Sequence, residues 1–191
     1  MIRSLVKRFL AAAAVTIAVA GAAQQASAQA NAQYTGDQLV AAGNTFFTQL
    51  TGNLASVIEE AISRFGLPNG YILGQTAGGA FIGGVRIGEG TLYTQNAGTL
   101  PVHWIGPSIG FDVGADASQT MMLVYNLPNV EAVYQRFFGI SGSAFVVGGI
   151  GMTVLTNSGI TVVPIVSGLG ARLGFNIGYL KFTATRTVNP F

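Results

Sequence analysis

Thr91-Leu92-Tyr93-Thr94-Gln95, Asn96-Ala97-Gly98 and Thr99-Leu100-Pro101-Val102-His103-Trp104-Ile105 follow one another without interruption. Two runs rich in β-branched and aromatic residues flank a short Asn/Gly connection, so the stretch predicts a β-hairpin. A connection this short joins antiparallel neighbours; parallel strands need a crossover of a dozen residues or more.

The same pattern extends in both directions. Upstream, Tyr71–Gly74, Ala80–Ile87 and Gly90–Gln95 read as strands, and downstream so do Val102–Ile105, Ser108–Val113 and Thr120–Tyr125. Pro128 interrupts the series. Asn129 then caps a short helix in which Val130, Val133, Tyr134 and Phe137 share a face and Glu131, Gln135 and Arg136 point away. Strands resume over Ser143–Leu155, turn at Asn157-Ser158-Gly159, and continue through Ile160–Val166, Ala171–Ile177 and Tyr179–Thr185. Before the strands, Asp37–Phe65 reads as helix with a break near Gly52 and Asp37 as its N-cap. Leu54, Val57, Ile58, Ala61, Ile62 and Phe65 recur at helical steps, and Gly66 and Pro68 end the segment. The expected class is therefore mainly β (α+β): a small soluble, curled antiparallel sheet or β-barrel of about ten strands, with an N-terminal helix and one short internal helix. The amphipathic helix lacks the Lys/Arg excess of a membrane-surface helix, so it is expected to pack on the sheet.

Glycines recur at four-residue steps, as in Gly70, Gly74 and Gly78, in Gly84 and Gly88, in Gly106, Gly110 and Gly114, and in Gly170, Gly174 and Gly178. Residues four apart on a strand share a face. Each series therefore lays bare backbone along one face, which allows sharp curling or close approach by a neighbouring group or a ligand.

The N-terminus has its own logic. Arg3, Lys7 and Arg8 precede the apolar run Phe9–Ala23, and Ala26-Ser27-Ala28 follows. A basic start, a short apolar run and a small-x-small site predict a secretory signal peptide over residues 1–28, cut after Ala28, with Ala30 as the rival site. Residues 29–36 are then expected to be a flexible leader and 37–191 a single domain in the periplasm. About 163 residues remain after cleavage, enough for one core. The remaining chain carries six Lys/Arg against seven Asp/Glu, a net charge of −1. Such a chain has little capacity to neutralise phosphates, which removes the basis for nucleic-acid binding. There is no cysteine, so stability is expected from packing and backbone pairing rather than disulfides.

Catalytic chemistry finds little to work with. His103 is the single histidine, no His/Cys spacing supports zinc, and no G-x-S-x-G elbow is present. Glu59 and Glu60 diverge on a helix, and Asp112 and Asp116 carry no groove signature. Gly168–Gly174 resembles a dinucleotide fingerprint only superficially, because a strand-like segment follows it. No catalytic residue, metal or cofactor is assigned. Arg86 and Arg172 stand inside glycine-rich apolar strands. Each is expected either to meet solvent or a carboxylate such as Glu89, Asp112 or Asp116, or to anchor an anionic head group at a barrel mouth. The Asn189-Pro190-Phe191 end raises an outer-membrane barrel, but Thr183, Thr185, Thr187 and Asn189 share a face with Phe191 and make it too polar for lipid.

Several motifs in order resemble the EipA family of alphaproteobacterial periplasmic envelope proteins, a domain of unknown function. They are Pro68–Gly74, Gly88–Thr94, Gly106–Asp112, Met121–Pro128, Tyr134–Phe137 and Gly178–Thr183. The resemblance runs from about Tyr34 to Phe191 and implies a small soluble β-barrel with a role in envelope integrity. Trp104, Pro107, Ser108, Gly110, Gly114, Val124, Asn126 and Val133 also stand in an order similar to the SYLF lipid-binding domain. That similarity implies binding of a lipid or amphiphile, and adds Trp104 to Arg86 and Arg172 as candidate ligand-binding residues. The chain lacks the basic amphipathic N-terminal helix of eukaryotic SYLF proteins, so phosphoinositide binding is not carried over. The expected function is non-enzymatic support of the envelope through a lipid or other amphipathic component, with docking of another envelope protein as the alternative. An outer-membrane barrel or an envelope-polymer hydrolase is the lesser expectation. An open interior cavity of roughly 300 Å³ or more favours ligand binding; a filled interior favours docking.

Overall fold

The computed structural model describes residues 32–47, 54–79, 85–95, 97–107, 118–141, 143, 145–147, 150–167 and 178–189. The expected signal peptide and its cleavage site lie outside them, as do Ser108–Val113 and Ala171–Ile177. Among the described residues two helices come first, α1 (Gly36–Phe46) and α2 (Leu54–Phe65). The strands are β1 (Gly70–Gly79), β2 (Val85–Thr94), β3 (Gly98–Pro107), β4 (Ser118–Tyr125), β5 (Arg136–Gly139), β6 (Phe145–Val147), β7 (Ile150–Met152), β8 (Leu155–Asn157), β9 (Ile160–Ser167) and β10 (Tyr179–Thr183). A 3-10 turn, Val130–Val133, sits between β4 and β5.

The sheet order is β4-β1-β2-β3-β10-β5-β8-β9, and β9 pairs back with β4, closing eight antiparallel strands into a barrel. Beyond the ring, β7 and β6 extend from β9. The hairpin read from sequence is present, with Thr94 opposite Gly98, and Gly98 takes the left-handed φ of 79° that the turn needs. Ala80–Ile87 and Gly90–Gln95 do not form two strands as expected; Val85 to Thr94 is continuous, and Gly88 and Gly90 pair without a break.

β7 and β8 keep one register against β9, with Met152 opposite Ile165 and Leu155 opposite Val162. They separate where Pro164 faces them. Thr153 N–H donates to the Pro164 carbonyl at 3.3 Å, but proline returns no N–H. On the other edge, Val154 O accepts from Ile140 N at 3.0 Å and Val154 N donates to Ser143 Oγ at 3.2 Å. A buried serine hydroxyl thus stands in for a strand's backbone where the chain steps from β5 to β6.

Two cores lie on the two faces of the barrel wall. Inside are Ile72, Leu92, Val102, Trp104, Met122, Val124, Phe137, Leu155, Val162, Leu180 and Phe182. Outside, α1 and α2 press Leu39, Leu54, Val57, Ile58 and Ala61 onto Met121, Leu123, Tyr125, Ile150, Met152, Val163 and Ile165. β4 is therefore apolar on both faces, like a strand of a covered sheet. Thr35, not Asp37, caps α1. Its hydroxyl accepts from Gln38 N–H while the Gln38 side chain accepts from Thr35 N–H, a reciprocal capping box that the Asp37 reading missed. The last residues before α1 are held: Tyr34 N donates to Pro68 O at 2.8 Å, and Gln95 Nε2 donates to Gln33 O at 2.7 Å.

One end of the barrel is closed by the 3-10 turn. Leu127 and Val133 enter the inner core, and Asn129 caps the turn as expected. The buried Asn69 amide holds this closure, donating to Leu127 O at 2.8 Å and accepting from Leu127 N at 3.1 Å. Helix does not continue through Phe137 as expected: Arg136 to Gly139 is strand β5, because Phe137 fills the barrel interior and the backbone pairs with both β10 and β8.

Candidate functional site

Inside the barrel, Trp104 is 1% exposed and opposite Gly88 in register. A Cβ built on Gly88 would strike the indole, and one on Gly74 would lie 2.7 Å from both the indole Cη2 and the Gly90 Cα. Gly74 and Gly88 therefore make room for one large ring against bare strand backbone. The indole N–H donates to Thr76 Oγ1 at 3.1 Å, and Thr76 Oγ1 shares a hydrogen bond with Thr120 Oγ1 at 2.9 Å. These are satisfied polar groups in an otherwise apolar interior.

Arg86 is buried, 9% exposed, two residues from Gly88 on the same face of β2 and opposite Gly106 of β3. The structure thus brings Arg86 and Trp104 to the inner face of adjacent strands. Glu89 lies on the opposite face of β2 and takes Arg186 at 3.1 Å, with His103 Nε2 at 3.9 Å. Arg172, Asp112 and Asp116 lie outside the described residues. The interior within them is filled by Trp104, Phe137 and Phe182, whose rings meet at centroid separations of 6.1 and 5.6 Å. Thr76 and Thr120 were not singled out from sequence, where a threonine in a strand carries no sign that it faces a buried indole.

The outer wall of β2, β3, β10 and β5 is of a different character. Glu89 and His103 stand directly opposite on β2 and β3, Lys181 and Arg136 on β10 and β5. Beside the second pair lies a shallow groove of about 370 Å³, bordered by Tyr134, Gln135, Arg136, Lys181, Phe182, Thr183 and Ala184. Its frame is fixed. Tyr134 donates its hydroxyl to Pro101 O at 2.8 Å, Gln135 Nε2 donates to Ala132 O at 2.7 Å, and Asn157 Nδ2 donates to Arg136 O at 2.8 Å. Burial, with the Glu131 carboxylate a smaller contributor, raises the Tyr134 phenol above its ordinary value. The Arg136 guanidinium sits 5.1 Å from the Tyr179 ring centroid, a cation–π distance. The sequence reading placed Arg136 on a helix and so could not align it with Lys181. Among the described residues, no cluster of three or more His, Cys, Asp or Glu could hold a metal, and no helix is long and apolar enough to cross a membrane.

No curated protein matches the sequence. A solved structure of a beta-barrel-like, uncharacterised protein from Brucella abortus is 53% identical, with a TM-score of 0.78, over 83% of this chain and 99% of that one. The family model for envelope integrity protein A matches residues 32–191. The chain belongs to the EipA, or envelope integrity protein A, family.

Proposed function

We propose that this protein is exported to the periplasm and supports envelope integrity without catalysis, by binding an amphipathic envelope molecule on the outside of its barrel. The observation that carries this reading is the division between the barrel's two faces. Large rings fill the described interior, which leaves little space there for an acyl chain. The wall of β2, β3, β10 and β5 bears no helix among the described residues and holds a groove that combines apolar surface with cations. Its 370 Å³ lies within the range of small-ligand sites.

Fractionation of the native host, N-terminal sequencing of the processed chain and extraction of bound amphiphiles test this reading. A periplasmic chain starting at Gln29 and carrying an amphiphile supports it. A cytosolic chain that keeps Met1, or a periplasmic one free of amphiphiles, contradicts it.

Docking of another envelope protein is a second reading, favoured by Phe138, Ile140 and Val146, which are at least half exposed on β5, β6 and the step between them. Crosslinking in cells separates the two. A reproducible protein partner that is lost on Phe138→Ser, with no amphiphile recovered, selects docking.

A further inference from the structure

We infer that the stretch of barrel from β5 to β6 docks on a lipid bilayer surface, inserting Phe138, Ile140 and Val146 by hydrophobic contact alone. This goes beyond the amphiphile reading, which concerns the groove nearer the 3-10 turn, and the two can fail separately.

Five large apolar side chains are exposed among the described residues, and three of them, Phe138, Ile140 and Val146, fall within nine consecutive residues. They lie in a run of 35 residues, Phe137 to Ala171, that carries no charge and is bounded by Arg136 and Arg172. The described charges stand elsewhere. Asp37, Glu59, Glu60 and Arg64 are on the helices. Glu89 holds Arg186 on the wall of β2 and β3, and Arg86 is buried inside the barrel. Glu131, Arg136 and Lys181 stand toward the 3-10 turn.

Along β5 the outward side chains run from Arg136 beside that turn, through Phe138, to Ile140. On β10, Lys181 stands opposite Arg136 and Tyr179 opposite Phe138, with the two rings 6.5 Å apart between centroids. From the turn outward the order is cation, aromatic, aliphatic, which is the order of depth at a membrane surface. Arg136 rests on Tyr179 and Lys181 donates to Asn189 O, so docking draws on the apolar side chains and not on free charge.

The backbone decides between hydrocarbon and a protein strand. Phe138 pairs with Tyr179 on one side and with Thr156 on the other. Gly139 N donates to Gly178 O at 2.9 Å, and Ile140 N to Val154 O at 3.0 Å. Ile140 O accepts from Ser143 N at 3.1 Å and from Ser143 Oγ at 2.6 Å. An added strand would find no free bonding edge from Phe138 to Ile140. Hydrocarbon, in contrast, requires backbone groups that are already satisfied.

The processed chain has no cysteine, so one introduced cysteine carries a reporter. Ile140→Cys and, as a control on α2, Glu59→Cys are labelled with nitrobenzoxadiazole and mixed with vesicles of uncharged phosphatidylcholine. The label at 140 should brighten and shift to the blue, equally at about 0.05 M and about 0.5 M salt, while the label at 59 stays unchanged. Phe138→Ser should weaken vesicle binding at least roughly tenfold with a thermal midpoint near that of the parent. No response at 140, an equal response at 59, a response that needs anionic lipid or is lost in salt, or a folded Phe138→Ser protein that binds as tightly as the parent overturns the inference. So does a dimer in light scattering that Phe138→Ser dissolves while vesicles are ignored, since the patch then joins two copies. If Phe138→Ser unfolds, the two labelled proteins decide alone. A chain that ignores vesicles yet yields an amphiphile from its host keeps the groove reading and loses this one.

Discussion

Gly88→Ala tests the packing of the barrel interior at its tightest point. The new methyl would enter the space of Trp104 Cε2, Nε1 and Cζ2. The indole cannot retreat toward β1, where a Cβ on Gly74 would already be 2.7 Å from Cη2, and Phe182 stands on the far side at a ring separation of 6.1 Å. Overpacking of this kind costs about 1–3 kcal/mol. Tilting the indole also withdraws its N–H from Thr76, 3.1 Å away, and a stranded buried donor adds about 1–3 kcal/mol. The combined loss is about 3–4 kcal/mol, which for a domain of this size lowers the melting midpoint by roughly 6–15 °C. Trp104 is the single tryptophan, so its fluorescence reports the site and the unfolding in one experiment. The expected result is a red-shifted native emission together with the lower midpoint. Trp104→Phe relieves part of the clash, so the double variant should lose at least about 1 kcal/mol less than the two single losses added. A Gly88→Ala protein that melts within about 2 °C of the parent with unchanged emission refutes the reasoning.

The Tyr125 hydroxyl is buried, finds no hydrogen-bond partner among the described residues, and its phenol is pushed well above its ordinary value by burial. Tyr125→Phe should therefore raise stability by up to about 1 kcal/mol in urea titration; a loss of that size would mean the hydroxyl is satisfied. Asn69→Ala removes both bonds to Leu127 and should cost about 2–3 kcal/mol; a cost below about 0.5 kcal/mol would show that the 3-10 closure holds itself. Tyr34 is pushed up to about 12, first by burial and then by Tyr71 beside it. Its folded value exceeds the unfolded one, so its contribution is complete below about pH 10 and is lost as pH rises through about 12. Urea midpoints should fall across that window, and Tyr34→Phe should flatten the fall; an unchanged slope would remove Tyr34 as the cause.

Sequence and structure agree where local chemistry decides the outcome. Gly98 and Ser158-Gly159 lie in the turns read from their residue types, and take left-handed backbone there at φ of 79°, 51° and 80°. The apolar face of α2 is buried as its helical spacing requires, and Asn129 caps its turn. Agreement fails where long-range pairing overrides local pattern. Phe137 fits a helical face by spacing, yet its backbone is claimed by β8 and β10. Gly88 and Gly90 look like breaks, yet they lie in an unbroken strand, because Trp104 occupies the space a Gly88 side chain would take and the Leu73–Gly74 backbone the space of one on Gly90. Arg86 was singled out as a cation inside an apolar strand, but its inward orientation beside Gly88 emerges only from the pairing of β2 with β3. The meeting of Arg136 with Lys181 depends on β10 inserting between β3 and β5, a ring order that no local pattern encodes.

Native mass spectrometry of the protein taken from its own envelope fraction addresses the amphiphile reading most directly. The expected result is a peak heavier than the processed chain by the mass of one amphiphile. A single peak at the bare mass, unaltered after incubation with dodecyl phosphate, would contradict it.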